Sequence, residues 1–205
     1  MDAELDTTGS DELDRAKALL RLKARAARRS VLAEERTAAS YAIAERVLAL
    51  PVMEHANAVL LYGASAEEAD PVVLESALRE RGVRIAYPRV AGPRLLELHW
   101  VDGPDVLTEG AFGLTEPRPE TPSVSLHRIS AIVVPGIAFD ADGTRLGFGG
   151  GFYDTLLEEN ENLPPTIGIA YDEQIVEHVP HDERDRPVDV VVTPTRTLRP
   201  STRRI

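Results

Sequence analysis

The sequence predicts an α/β fold: a single domain with a mixed, mostly parallel sheet flanked by helices in a Rossmann-like three-layer arrangement, preceded by a basic N-terminal helical pair. Three observations predict it. Short, continuously apolar runs rich in Val and Ile recur between residues 58 and 192, as expected of strands covered on both faces. Helical patterns alternate with these runs, which is the rhythm of an α/β chain. Finally, 6 of the 14 glycines fall between Gly136 and Gly151, just after one such run, and open α/β sheets bind their ligands beyond the carboxyl ends of strands.

The elements follow in order. Residues 1–10 are polar and acidic and are expected to form a disordered tail, leaving 11–205 as one domain. Over 11–29 the apolar positions Leu13, Ala16, Leu20, Ala24 and Ala27 step by three and four, which predicts an amphipathic helix. Lys17, Arg21, Arg25 and Arg28 form a second stripe on it. A second helix is expected over 33–50, closed by Pro51. Strands are expected at 58–62, 83–87, 95–100, 132–134, 166–170 and 188–192, with helices over 71–81 and from 152 to about 159. The Pro-rich stretch 116–125 reads as a long surface loop.

Composition removes several functions. The 205 residues contain no cysteine, which excludes disulfides, thiolate catalysis and Cys-ligated zinc and makes magnesium on oxygen ligands the natural metal. A net charge of −11 opposes general nucleic-acid binding, which needs a basic surface to displace counterions. No apolar run is long enough to span a bilayer, and the N-terminus is unlike a signal peptide. The expectation is a cytoplasmic monomer with no membrane or nucleic-acid partner. The charge is uneven, however. Residues 15–36 carry eight basic side chains, including Lys17 and Lys23, the only lysines in the chain.

The glycine cluster fits none of the common motifs. Phe152 stands where a dinucleotide fingerprint needs its third glycine. No Gly-Lys-Ser/Thr follows any glycine, and no Gly-x-Ser-x-Gly elbow is present. Asp140-Ala-Asp-Gly begins like a calcium loop but lacks the later ligands. What remains is a loop of free backbone N–H groups, Gly147, Gly149, Gly150 and Gly151, feeding a helix N-terminus that favours anions. Arg145 before it can grip phosphate oxygens bidentately. Asp154 after it is either a first-turn helix aspartate, favoured there by the helix dipole, or a ligand for magnesium shared with phosphate oxygens.

The stretch 134–154, VPGIAFDADGTRLGFGGGFYD, closely resembles the signature of the 5-formyltetrahydrofolate cyclo-ligases, also called methenyltetrahydrofolate synthetases. The resemblance runs nearly the length of the chain. Lys17-Ala-Leu-Leu-Arg21 resembles that family's N-terminal Lys-x-x-x-Arg, Tyr62 with Glu68-Ala-Asp70 its folate segment, and Phe112-Gly-Leu-Thr-Glu-Pro117 its Phe-Gly-Ile-x-Glu-Pro loop. Glu173-Gln174 and Asp185-Arg-Pro-Val-Asp189 resemble its terminal glutamine and paired-aspartate segments. Phe152 replaces a usual tyrosine, Phe148 a tyrosine or basic residue, and Pro71 a threonine.

The resemblance implies an enzyme that uses ATP and Mg2+ to convert 5-formyltetrahydrofolate to 5,10-methenyltetrahydrofolate, releasing ADP and phosphate. It implies that Lys17, Arg21 and Arg145 meet the nucleotide phosphates, with Lys17 and Arg145 catalytic. Gly147, Gly149, Gly150, Gly151, Phe152 and Tyr153 would complete the ATP site. Glu68 and Phe148, together with Gly149, Gly150, Gly151, Phe152 and Tyr153, would hold the folate, and Asp154 and Asp189 the magnesium. Two alternatives stay open. A non-catalytic nucleotide- or folate-binding paralogue would share the fold, although joint retention of Lys17, Arg21, Glu68, Arg145 and Asp154 favours the enzyme. An RNA-binding protein using the basic helix would bind in a strongly salt-dependent way, independent of Asp154.

Overall fold

In the computed structural model, residues 5–158 and 163–200 are described. One seven-stranded sheet organises them, in the order β11-β10-β9-β6-β1-β2-β3. Its strands are β1 (Ala58–Leu60), β2 (Arg84–Gly92), β3 (Leu95–Trp100), β6 (Ala131–Val134), β9 (Thr166–Ile169), β10 (Val190–Val192) and β11 (Thr197–Leu198). The five inner strands are parallel and the two edges, β3 and β11, antiparallel. Two small antiparallel pairs lie outside the sheet: β4 (Leu107–Glu109) with β5 (Thr115–Pro117), and β7 (Ala138–Phe139) with β8 (Arg145–Leu146).

The inner strands are apolar throughout because both faces are covered. Val59, Leu61, Ile85, Val133, Ile167, Val190 and Val192 share one core with the helices α2 (Ala33–Leu48), α3 (Pro51–Glu54) and α4 (Val72–Glu80). Alternate residues Leu60, Ala86, Ile132, Val134 and Val191 face a second core that includes Leu157 of α5 (Phe152–Glu158). Strand alternation therefore produces the three layers. Pro51 does more than close α2: it opens α3 from the first helical position, where its missing N–H is no loss.

The N-terminal helix α1 (Leu5–Ser30) packs differently from its neighbour α2. Ala24 and Leu20 rest on Ile137, Ala138 and Leu146 of the β7–β8 hairpin, not on the sheet. The expected N-terminal pair is thus split between a sheet-covering helix and one laid across the glycine segment. The helix also begins at Leu5, so residues 5–10, expected in a disordered tail, are helical, while residues 1–4 lie outside the described ones. Once a helix is nucleated, each added residue gains a hydrogen bond, so a polar first turn is carried on a long helix. Part of the expected surface loop 116–125 is instead strand β5, and its Glu116 is buried.

Strand order reverses at β1. From β1 the chain moves to β2 on one side, then crosses to β6 on the other and continues to β9 and β10. Such a switch opens a crevice at the carboxyl ends of the two strands flanking it. The chain leaving β1 enters it at Tyr62 and Gly63, and the chain leaving β6 enters it at Pro135.

Candidate active site

A cavity of about 430 Å³ fills this crevice. The glycine segment forms one wall, since Gly147, Phe148, Gly149, Gly150, Gly151, Phe152, Tyr153 and Asp154 all line it. Gly149 and Gly151 have φ of +99° and +70°, in the left-handed region that a side chain disfavours. At Gly147 a Cβ would fall 2.7 Å from Arg145 Nη1, so a bare backbone is required for the guanidinium to pass. Asp154 lies in the first turn of α5, directly after this loop.

Arg145 is carried by β8 with its side chain only 3% exposed. Its Nη2 donates to Asp154 Oδ1, its Nη1 donates to the Pro135 carbonyl at 3.3 Å, and its Nε is buried with no acceptor among the described residues. A buried guanidinium with a spare donor beside a helix N-terminus is a site for an incoming anion. Tyr153 stands next to it, with the Arg145 guanidinium carbon 5.8 Å from its ring centre. Burial pushes the Tyr153 phenol well above its ordinary pKa against the lowering effect of Arg145, so the hydroxyl stays protonated. That hydroxyl has no acceptor among the described residues and is a second spare donor.

Helix α1 brings its basic stripe along the same wall. Arg21 Nε donates to the Gly147 carbonyl at 3.0 Å, and its guanidinium lies against Gly149. Lys17 Nζ reaches Asp185 Oδ2 at 2.5 Å. One turn further along the helix, Arg25 lines the cavity. Behind the loop, buried Gln174 donates from Nε2 to the Gly136 and Ile137 carbonyls at 2.9 and 3.0 Å, bracing the chain as it leaves β6.

Opposite the glycine wall lies Glu68, buried at the end of the turn 65–68, where its Oε2 accepts from Ser65 N at 2.8 Å. The turn is fixed from behind. Tyr62 donates to the Ala69 carbonyl at 2.5 Å and Tyr171 to the Glu68 carbonyl at 2.8 Å. Apolar side chains complete the lining: Pro88, Val90 and Leu96 from β2 and β3, with Phe112 and Leu114 from the loop before β5. Phe112 is 78% exposed, has φ of +59°, and meets Phe152 edge-to-face at 6.0 Å. An apolar slot that also presents a buried carboxylate and a cationic glycine loop suits a flat ligand next to a polyphosphate.

Of the residues predicted from the sequence, Glu68, Arg145 and those from Gly147 to Asp154 line the cavity, Arg21 touches its glycine wall, and Lys17, one turn earlier on α1, is paired with Asp185. Asp189 is not brought there. It sits level with Thr166 at the amino ends of β9 and β10, its Oδ2 accepting from Thr166 N and Oγ1 at 2.8 Å each. The cavity is at the carboxyl ends, about 10 Å away at ~3.3 Å per residue. Expecting Asp189 beside Asp154 is therefore corrected: its carboxylate ties the starts of two strands together. Among the described residues no group of three acidic or histidine side chains is arranged to hold a metal. Sequence reasoning also passed over Arg25 and Arg28, which share the helical spacing of Lys17 and Arg21; that spacing was the available signal.

The sequence model of the 5-formyltetrahydrofolate cyclo-ligase family matches residues 14–194. The chain belongs to the 5-formyltetrahydrofolate cyclo-ligase family. This family's ligase from Escherichia coli K12 is 30% identical over 174 residues, covering 82% of this chain and 95% of that one. The 5-formyltetrahydrofolate cyclo-ligase of Mus musculus is 28% identical, covering 86% and 93%. The solution structure of 5,10-methenyltetrahydrofolate synthetase from Aquifex aeolicus superposes with a TM-score of 0.80 at 35% identity, over 92% of this chain and 95% of that one. The Mycoplasma pneumoniae synthetase, at 23% identity and a TM-score of 0.71 over 87% and 98%, shares the fold.

Proposed function

We propose that this chain catalyses the ATP-dependent conversion of 5-formyltetrahydrofolate to 5,10-methenyltetrahydrofolate, with release of ADP and phosphate. The observation that carries this is the junction of two chemistries in one cavity. Spare cationic and N–H donors gather at the glycine loop, and an apolar slot ends on buried Glu68.

The formyl oxygen of the substrate is a poor leaving group. Transfer of the γ-phosphoryl onto it breaks the bond to ADP and forms a new P–O bond. Attack by the neighbouring folate nitrogen on the formyl carbon then closes the ring, expels phosphate and releases the nitrogen's proton. No side-chain nucleophile is required, only alignment and charge neutralisation. The loop N–H groups of Gly149 to Gly151 cradle phosphate oxygens, and the Arg145 guanidinium beside them supplies positive charge to the moving phosphoryl. Arg21 and Lys17 hold the remaining phosphate charge from α1. The protonated Tyr153 hydroxyl donates to a ligand oxygen at the junction.

Asp154 fits a magnesium ion. It lies at the anion end of the cavity with one carboxylate oxygen taken by Arg145, and magnesium is commonly held by one or two carboxylates plus phosphate oxygens. Bound there, the ion would supply positive charge to the phosphate oxygens. Glu68 accepts hydrogen bonds from the donor edge of the pterin, whose rings fill the slot between Phe112, Phe152 and Leu96.

The test is incubation with 5-formyltetrahydrofolate and Mg-ATP while methenyl absorbance and ADP are followed together. The two products should appear in equal amounts. ADP without methenyl product would point to a different acceptor, and absence of both would reject the proposal.

A further inference from the structure

Arg28 is the least explained charge near the cavity. It lies two turns beyond Arg21 on α1 and is only 4% exposed, yet its Nε and Nη1 are buried without an acceptor among the described residues. Its one hydrogen bond among the described residues, from Nη2 to Glu67 Oε2, is 3.3 Å long. That carboxylate is already held by Arg29 at 2.9 Å and is one-third exposed, so it needs no buried partner. A guanidinium with two orphaned donors is a costly thing to bury for structure alone.

Its surroundings give it a purpose. Nη1 lies 3.9 Å from Glu68 Oε1, beyond hydrogen-bond length but within ion-pair reach. The guanidinium carbon is also 5.6 Å from the centre of the Phe148 ring, within cation–π range. Arg28 therefore touches both walls: the Glu68 turn and the glycine loop.

We infer that Arg28 is a positioning residue that fixes the Glu68 carboxylate and the Phe148 ring for a ligand with a flat, hydrogen-bond-donating edge. It balances the Glu68 charge from behind and leaves the cavity face of the carboxylate to the ligand. This inference rests on the proposed function, in which that ligand is the pterin of 5-formyltetrahydrofolate. Arg28 meets the glycine loop at the Phe148 ring, which the proposed function gives to the folate, so its effect belongs to the folate and not to the nucleotide.

The experiment is a double-substitution cycle on folate affinity. Arg28→Met, Arg28→Lys and Glu68→Gln are made singly, and both Arg28 variants are also combined with Glu68→Gln. Binding of 5-formyltetrahydrofolate is measured calorimetrically without nucleotide, beside kcat, the KM for ATP and the thermal midpoint. Arg28→Met should weaken folate binding at least tenfold and move the KM for ATP less than twofold. Arg28→Lys, which keeps the charge but loses the fork, should recover part of that affinity. With Glu68→Gln in place, Arg28→Met should change affinity less than threefold, because the charge it balances is gone. If Arg28→Met does not fold, the Arg28→Lys arm of the same cycle decides between the two roles.

Equal losses with and without Glu68→Gln, or a loss of folate affinity matched by a parallel rise in the KM for ATP and a lowered midpoint, would make Arg28 a structural residue and overturn the inference alone. Wild-type protein that does not bind 5-formyltetrahydrofolate would overturn the inference and the proposed function together.

Discussion

Replacing Arg145 by Met removes the guanidinium while keeping most of the stem that fills its channel. The partner left behind is Asp154, whose side chain is 28% exposed, against 3% for Arg145. Breaking a fully buried pair costs about 3–5 kcal/mol because one charge is stranded. Water can partly resolvate Asp154, which lowers this to about 1.5–3 kcal/mol. Losing the hydrogen bond to the Pro135 carbonyl adds about 0.5–1 kcal/mol. The total, about 2–4 kcal/mol, should lower the thermal midpoint by about 5–15 °C for a chain of this length. Loss of a preorganised cation aimed at the moving phosphoryl should reduce kcat about 10²–10³-fold. The reverse truncation, Asp154→Ala, strands the more buried member and should destabilise more, by about 3–5 kcal/mol. Calorimetry and steady-state turnover on both variants measure these quantities. If Arg145→Met melts with the wild type and turns over within threefold of it, or is less stable than Asp154→Ala, the pair does not organise the site as argued.

Other expectations follow from single contacts. Gly151→Ala forces a side chain into φ of +70° and places its Cβ 2.7 Å from Arg94 Nε; it should cost about 1–2 kcal/mol and raise the KM for ATP, measured by turnover and melting. Asp189→Ala should destabilise by about 1–3 kcal/mol through the lost Thr166 bonds, yet leave the magnesium concentration for half-maximal activity unchanged. Asp172 accepts from Thr193 at 2.6 Å, Thr195 at 2.7 Å and Arg196 at 3.1 Å. Burial raises its pKa, but these bonds outweigh it and hold the carboxyl below its ordinary value of 3.8. A carboxyl with a lowered folded pKa contributes its stability in full above the unfolded value and loses it as pH falls through the folded one. The stability gap between wild type and Asp172→Asn should therefore be wide at pH 7 and close below pH ~4; a gap constant with pH would show that ionisation of Asp172 is not the source.

The sheet was legible because two covered faces demand apolar runs, and β1, β2, β6, β9 and β10 each carry one. The pairs β4–β5 and β7–β8 and the edge strand β11 were not. Strands of two or three residues give no period to detect, and their pairing depends on the loops that bring them together. The glycine loop, Arg145 and Asp154 could be read as one candidate anion site because their residue types are rare and ordered along the chain, whereas Glu68 was singled out only by the family resemblance. Asp189 was misplaced for the converse reason. It follows Asp185, which does reach Lys17, but its own carboxylate is taken up by Thr166 at the amino end of β9. Arg28 escaped notice because on a charged helix stripe only burial separates a working guanidinium from a solvated one.

The central claim is that this cavity transfers the γ-phosphoryl of ATP directly to the formyl oxygen of the folate. It is tested most directly with 5-formyltetrahydrofolate carrying ¹⁸O in the formyl group, analysed by mass spectrometry after turnover with Mg-ATP. The label should appear in the inorganic phosphate, one atom per methenyl product formed. Unlabelled phosphate, with the ¹⁸O released to water, would contradict the account.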